Sequence, residues 1–224
     1  MSVGAPLYPV GLVVRGRRCL VVGGGRVAAR KVASLLACGA AVTVVAPEVH
    51  EATRDLAESG VLAAIDDSPL QVELRPYRSG EAAGFQLVVA ATGDPAVDDA
   101  VHRDAEAAGV WVNVADDPSR CSFVLPAVAR HGDVTVAVST GGSSPALAVW
   151  LRDRVEDCIG PGMGELAALL AEARGRVRER GGSTESIDWR AALDGGLPEL
   201  VRQGRTDEAR ALLDAVIDGK TARS

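Results

Sequence analysis

The segment Gly23-Gly24-Gly25-Arg26-Val27-Ala28 has the form GxGxxA. Its first glycine permits a tight turn, and Gly25 lets a pyrophosphate come close to the backbone. Ala28 is small enough for a helix to meet a strand. Amides at the start of a helix opening there would face the phosphates. The same turn also occurs as plain structure in sheet proteins. An NAD site usually has an acid at the end of the second strand. Here that strand ends at Ala46-Pro47, and Glu48 comes two residues after Ala46. The Glu48 carboxylate, or backbone groups of Pro47 and Glu48, can take the ribose hydroxyls. Arg26 and Arg54 leave a phosphorylated ribose open, with NAD favoured. Downstream, Thr92-Gly93-Asp94 reads as a ligand edge or as a helix cap before Pro95. Asp116 and Asp117, before Pro118, offer a general base or ordinary turn chemistry. Gly141-Gly142-Ser143-Ser144-Pro145 is a second glycine turn, suited to an anion or to a plain loop.

These residues need a scaffold, and its period is legible. Cys19-Leu20-Val21-Val22 is an apolar run ending at the glycines. Val32, Leu35 and Leu36 then recur at helical spacing, closed by Gly39. Ala41 to Ala46 is β-branched and apolar, like a strand buried on both faces. The alternation continues with a helix from Glu48 to Ser59, stopped at Gly60. Strands follow at Gln71 to Arg75 and Leu87 to Ala91, then a helix from Pro95 to about Ala108 and a strand from Val110 to Ala115. This predicts an α/β fold, a Rossmann-type doubly wound parallel sheet. Ser122 to Ala129 and Val134 to Ser139 predict a β-hairpin around Arg130-His131-Gly132-Asp133. Ser144-Pro145 opens a helix to about Cys158, ended by Gly160-Pro161-Gly162. Beyond lie only helices, with stripes at Leu166, Leu169, Leu170, Ala173 and Val177 and at Ala209, Leu212, Leu213 and Val216. Thr206 is the expected N-cap of the last. Two or three short helices have too little mass for a core, so a partner or the first domain should cover them. The expected domains are 1–117, 118–157 and 158–224.

Composition narrows the function. Hydrophobic residues are 47% of the 224 and charged residues 24%, so the chain is not disordered. Aromatics are only 3%, too few for a stacking platform, and the net charge of −6 disfavours a general polyanion binder, nucleic acid included. Cys19, Cys38, Cys121 and Cys158 contain no CxxC pair, and His50, His102 and His131 share no spacing, so no metal site is expected. No signal peptide or membrane span is read, and the expected compartment is the cytoplasm.

Taken together, CLVVGGGRVAARK (19–31), VVAPE (44–48), AATGD (90–94), NVADDPSRCSFVLPA (113–127) and VAVSTGGSSPALA (136–148), after Tyr8-Pro9-Val10, resemble the precorrin-2 dehydrogenase module of siroheme synthases. The likeness covers roughly residues 7 to 157, and the tail more loosely. It implies NAD-dependent oxidation of precorrin-2, a tetrapyrrole with eight carboxylates, to sirohydrochlorin; some members then insert Fe²⁺. It matches Asp116 to the family's general acid/base. By likeness Arg26, Val27, Pro47 and Glu48 fall on the cofactor positions; with Gly23, Gly25 and Thr92 they make the expected cofactor site, and Asn113, Ser122, Phe123, Gly141, Gly142 and Ser143 the expected substrate site. The likeness implies a homodimer formed by the hairpin and tail. Arg120, Arg130, Arg152 and Arg154 are candidate cations for the carboxylates, or else partners in surface ion pairs. Two departures are expected: a surface insertion over Val61 to Leu74, and no methyltransferase domain after Ser224, so that methylation is done elsewhere. A dinucleotide-sensing module without chemistry is the rival reading, and a chelatase without cofactor the next.

Overall fold

A computed structural model describes residues 6–58 and 70–219. The expected insertion falls mostly outside the described residues. The chain divides into two compact units, Met1–Leu125 with Gly141–Ser143, and Pro126–Thr140 with Ser144–Ser224.

In the first unit, β1 (Arg18–Val22), β2 (Ala41–Ala46), β3 (Gln71–Leu74), β4 (Leu87–Ala90) and β5 (Trp111–Val114) form one parallel sheet in the order β3-β2-β1-β4-β5. The order reverses between β1 and β4, so the crevice at their carboxyl ends is the switch point where ligands bind such sheets. The helices are α1 (Arg26–Ala37), α2 (Glu51–Glu58) and α3 (Pro95–Ala107). The period of two along β1 sorts its side chains: Cys19 and Val21 join α1's Ala28, Val32 and Leu36 in one buried cluster, and Leu20 and Val22 join α3's Val101 and Ala105 in another. Burying each Val or Leu among them contributes about 1.5–3 kcal/mol, which fixes which way each side chain of the strand faces. Gly39, at φ +76, ends α1 as a left-handed residue. Asp94 caps α3 by accepting from the Ala96 N–H at 2.9 Å, with Pro95 at the first helical position.

In the second unit, β6 (Ala127–His131) and β7 (Val134–Val138) pair antiparallel, His131 opposite Val134. The connection is two residues, Gly132 and Asp133, with Gly132 at φ +57. The hairpin is shorter than the expected one. Residues 122–125 form no strand, because residues 121–123 are stitched to β5 chiefly by side chains, described below. On the hairpin lies α4 (Pro145–Ile159), capped by Ser144, whose Oγ accepts from the Leu147 N–H at 3.2 Å. Then come α5 (Met163–Glu179), α6 (Trp189–Asp194), α7 (Leu197–Arg202) and α8 (Thr206–Ile217).

The tail corrects two expectations. Leu166, Ala173, Ala192, Leu197, Ala209, Leu213 and Val216 are buried together, so the tail makes a small core of its own. Arg205, not Thr206, is the N-cap of α8; Thr206 is its first helical residue, and no side chain caps that end.

Candidate active site

The glycine turn joins β1 to α1, and each glycine has a separate reason. Gly23 lies at φ +124, and a Cβ there would sit 2.2 Å from the Ala91 carbonyl oxygen. At Gly24 a Cβ would sit 1.7 Å from the Glu48 carbonyl oxygen. The Gly24 carbonyl in turn accepts from the His50 N–H at 2.6 Å. Thus Gly24, the variable position of the motif, is the tightest of the three. Gly25 is the N-cap of α1, has an ordinary φ of −77, and nothing lies within 4 Å of a Cβ there. Its smallness serves open space, which is the condition for a ligand to reach the backbone. No side chain caps α1 and no acid lies in its first turn. Its first amides therefore keep their positive end for an anion, beside the exposed Arg26 and the half-buried Val27. Pro47 and Glu48, exposed after β2, flank the same turn. This cradle fits a dinucleotide pyrophosphate.

Next along the edge, after β4, the Thr92 hydroxyl donates to the buried Asp98 carboxylate at 2.7 Å and accepts from the Asp94 N–H at 3.0 Å. Thr92 shapes the turn, with its hydroxyl already engaged. After β5 comes Asp116, the one non-glycine with positive φ, +62, among the described residues. That left-handed conformation is costly for most side chains and least so for Asp and Asn. Asp116 is exposed, and its carboxylate accepts no hydrogen bond among the described residues. It stands two strands from the glycine turn, about 10 Å at ordinary strand spacing. Asp117 is different. It caps the 3₁₀ turn Pro118–Arg120, accepting from the Ser119 N–H at 3.1 Å and its hydroxyl at 2.5 Å, and it pairs with Arg120 at 3.4 Å. The Ser119 hydrogen bonds hold its carboxyl below the usual range.

Residues 121–123 run beside β5. The Val112 N–H donates to Ser122 Oγ at 2.7 Å, and the Ser122 N–H donates to the Val112 carbonyl at 2.8 Å. Buried Asn113 donates through Nδ2 to the Phe123 carbonyl at 3.0 Å. The Cys121 thiol, pushed up by burial, accepts from the Val114 N–H at 3.3 Å. Asn113 and Ser122, expected at the substrate, thus use their polar atoms to hold this segment, and Phe123 packs against the α1 cluster. The loop with Gly141 (φ +62), Gly142 (φ +86) and Ser143 groups with the first unit, as do all the other predicted site residues. Of the candidate cations, Arg120 pairs with Asp99 and Asp117, and Arg152 with Asp153. Arg154 stacks over Trp150.

One residue of this neighbourhood escaped the sequence reading. Lys31 of α1 is partly buried, and its electrostatic neighbours are Arg30, Asp116 and Cys121. Burial, with Arg30 acting in the same direction, draws its ammonium below the usual lysine range, against the pull of Asp116 and Cys121. No local pattern marks it; Asp116 and Cys121 come within its electrostatic reach only through the fold. Among the described residues no group of three His, Cys, Asp or Glu side chains is placed to hold a metal ion.

A family described as putative NAD(P)-binding matches residues 10–127. The sirohaem biosynthesis protein central family matches residues 131–157, and the sirohaem synthase dimerisation region matches 162–217. The chain belongs to the putative NAD(P)-binding family, whose match spans more than half of it. Among its relatives, a siroheme synthase of Nitrosococcus oceani is 40% identical over 213 residues, covering 94% of this chain and 44% of that protein. One of Methylococcus capsulatus is 41% identical over 210 residues, covering 92% and 43%. The chain thus spans less than half the length of these relatives. A solved structure described as SirC, precorrin-2 dehydrogenase, is 25% identical with a TM-score of 0.71, over 95% of this chain and all of that one. The part matched as NAD(P)-binding includes the sheet that carries the glycine turn and Asp116.

Proposed function

We propose that the chain oxidises precorrin-2 to sirohydrochlorin with NAD⁺. The observation that carries this reading is the Asp116 carboxylate: exposed, without a hydrogen-bond donor among the described residues, and held in a left-handed conformation at the same sheet edge as an open glycine turn. Strain of this kind persists where the surrounding fold imposes it, and it clusters at functional sites. The names of the relatives and of the structural neighbour supply the substrate class.

When bound, NAD⁺ supplies the hydride acceptor. The chain's own part is positional and basic. Backbone at Gly25 and the first amides of α1, with Arg26 and Val27, hold the pyrophosphate. Pro47 and Glu48 hold the ribose, with NAD favoured over NADP. Thr92 sets the edge of β4. One substrate C–H bond gives up its electron pair as hydride, and a second hydrogen leaves the macrocycle as a proton, which Asp116 accepts. Asn113 and Ser122 hold Phe123 and its neighbours as one wall, and Gly141, Gly142 and Ser143 form a second. The family's dimerisation region supports a homodimer, and four free cysteines suit a reducing cytoplasm. Among the described residues no helix is long and apolar enough to cross a membrane.

Anaerobic precorrin-2 offered with NAD⁺ and, separately, NADP⁺ tests the reading. Sirohydrochlorin should appear faster with NAD⁺; equal or faster oxidation with NADP⁺ would reject the cofactor preference. Adding Fe²⁺ as a substrate to the same mixture reads whether iron insertion follows.

A further inference from the structure

We propose that Lys31 anchors a carboxylate of the anionic substrate beside Asp116; this rests on the dehydrogenase reading above. Lys31 is on α1, next to the fully buried Val32, whose cluster Phe123 joins. Its side chain is partly withdrawn from water, within electrostatic reach of Asp116 and Cys121. Yet among the described residues no acceptor lies within hydrogen-bond distance, and no carboxylate lies within the 4.0 Å of an ion pair. An ammonium held out of water without an acceptor is unfavourable until an anion completes it.

The site needs such an anion contact. Asp116 by itself repels a polycarboxylate, in a chain whose net charge is −6. Arg120, the cation nearest to it along the sequence, is held by Asp99 and Asp117. Lys31, within electrostatic reach of Asp116, offsets its charge. Its separation from Asp116, beyond ion-pair contact, leaves the ammonium free to take a substrate carboxylate while the base stays available. A compact ammonium on a flexible stem suits one carboxylate at a macrocycle's rim.

The test compares wild type, Lys31→Met and Lys31→Arg. In anaerobic turnover with precorrin-2 and NAD⁺, Lys31→Met should raise KM for the tetrapyrrole about tenfold or more. The same variant should leave kcat within about threefold and NAD⁺ affinity unchanged, and Lys31→Arg should restore most of the KM. Uroporphyrin, an octacarboxylate porphyrin that needs no turnover, gives a direct readout by fluorescence quenching. Lys31→Met should weaken its binding by a similar factor, and added salt should narrow the gap to wild type. Unchanged KM together with unchanged uroporphyrin affinity overturns the anchor. So does a loss confined to kcat, which would make Lys31 a positioning residue for Asp116. If wild type forms no NADH, the dehydrogenase reading fails separately, and the uroporphyrin titration still decides the role of Lys31. Should Lys31→Met not fold, Lys31→Gln takes its place in both measurements.

Discussion

Two adjacent acids, Asp116 and Asp117, look alike in the sequence, and the fold gives them different surroundings. Asp117 is bound up in the turn that follows it, and Asp116 is left exposed with a strained backbone. Asp116→Asn preserves the side chain's size and suits the left-handed conformation, so the fold should be untouched. Turnover should fall about 10²–10⁴-fold with NAD⁺ affinity nearly unchanged, as expected when a general base is removed. Asp117→Asn should cost much less in turnover; the reverse ranking in steady-state kinetics would move the base by one residue. The three glycines separate in the same way. Gly24→Ala must push a Cβ against the Glu48 carbonyl, and should lower stability by about 3 kcal/mol or more in thermal melts. Gly25→Asp meets open space and should fold, yet lose NAD⁺ binding because a carboxylate then stands where the pyrophosphate must come. Normal NAD⁺ affinity of Gly25→Asp by calorimetry would show that the cofactor lies elsewhere.

At the scale of elements, the parallel strands were legible to within a residue, because β-branched runs between glycine turns have few other solutions. The hairpin was not. Its expected start at Ser122 fails because Ser122, Cys121 and Asn113 tie that stretch to β5 through side chains, a partner invisible from local alternation. Helices α6 and α7, six residues each, are too short to show a period, and this is why the tail seemed to lack a core. Lys31 was missed for a related reason: its neighbours lie some 85–90 residues further on. One element junction has a testable ionic lock. Asp104 of α3 accepts from the Gly80 N–H at 2.6 Å and the Tyr77 hydroxyl at 2.8 Å. The Gly80 amide is the largest cause of its lowered pKa. A folded-state pKa below the unfolded 3.8 contributes stability above that value, lost as pH falls through the folded one. Asp104→Asn should therefore destabilise the first unit by about 1–2 kcal/mol at neutral pH, and by less and less below about pH 4. A stability difference that does not shrink on acidification, in urea titrations at several pH values, would show that the carboxylate's charge is not what matters.

For the whole molecule, an NAD(P)-binding sheet precedes a region that matches the sirohaem synthase dimerisation region, and the predicted site residues lie in the first unit. Light scattering should give about 46 kDa, twice the 23.1 kDa chain; a monomer at micromolar concentration would remove the dimer. The rival, a module that senses a dinucleotide without chemistry, shares the sheet and the glycine turn but has no use for Asp116. What separates the two is a single-turnover mixture of the protein, anaerobic precorrin-2 and excess NAD⁺, followed by NADH absorbance. The account predicts one NADH for each precorrin-2 consumed, with sirohydrochlorin formed at the same rate. NAD⁺ that binds while no NADH forms and precorrin-2 persists would contradict it.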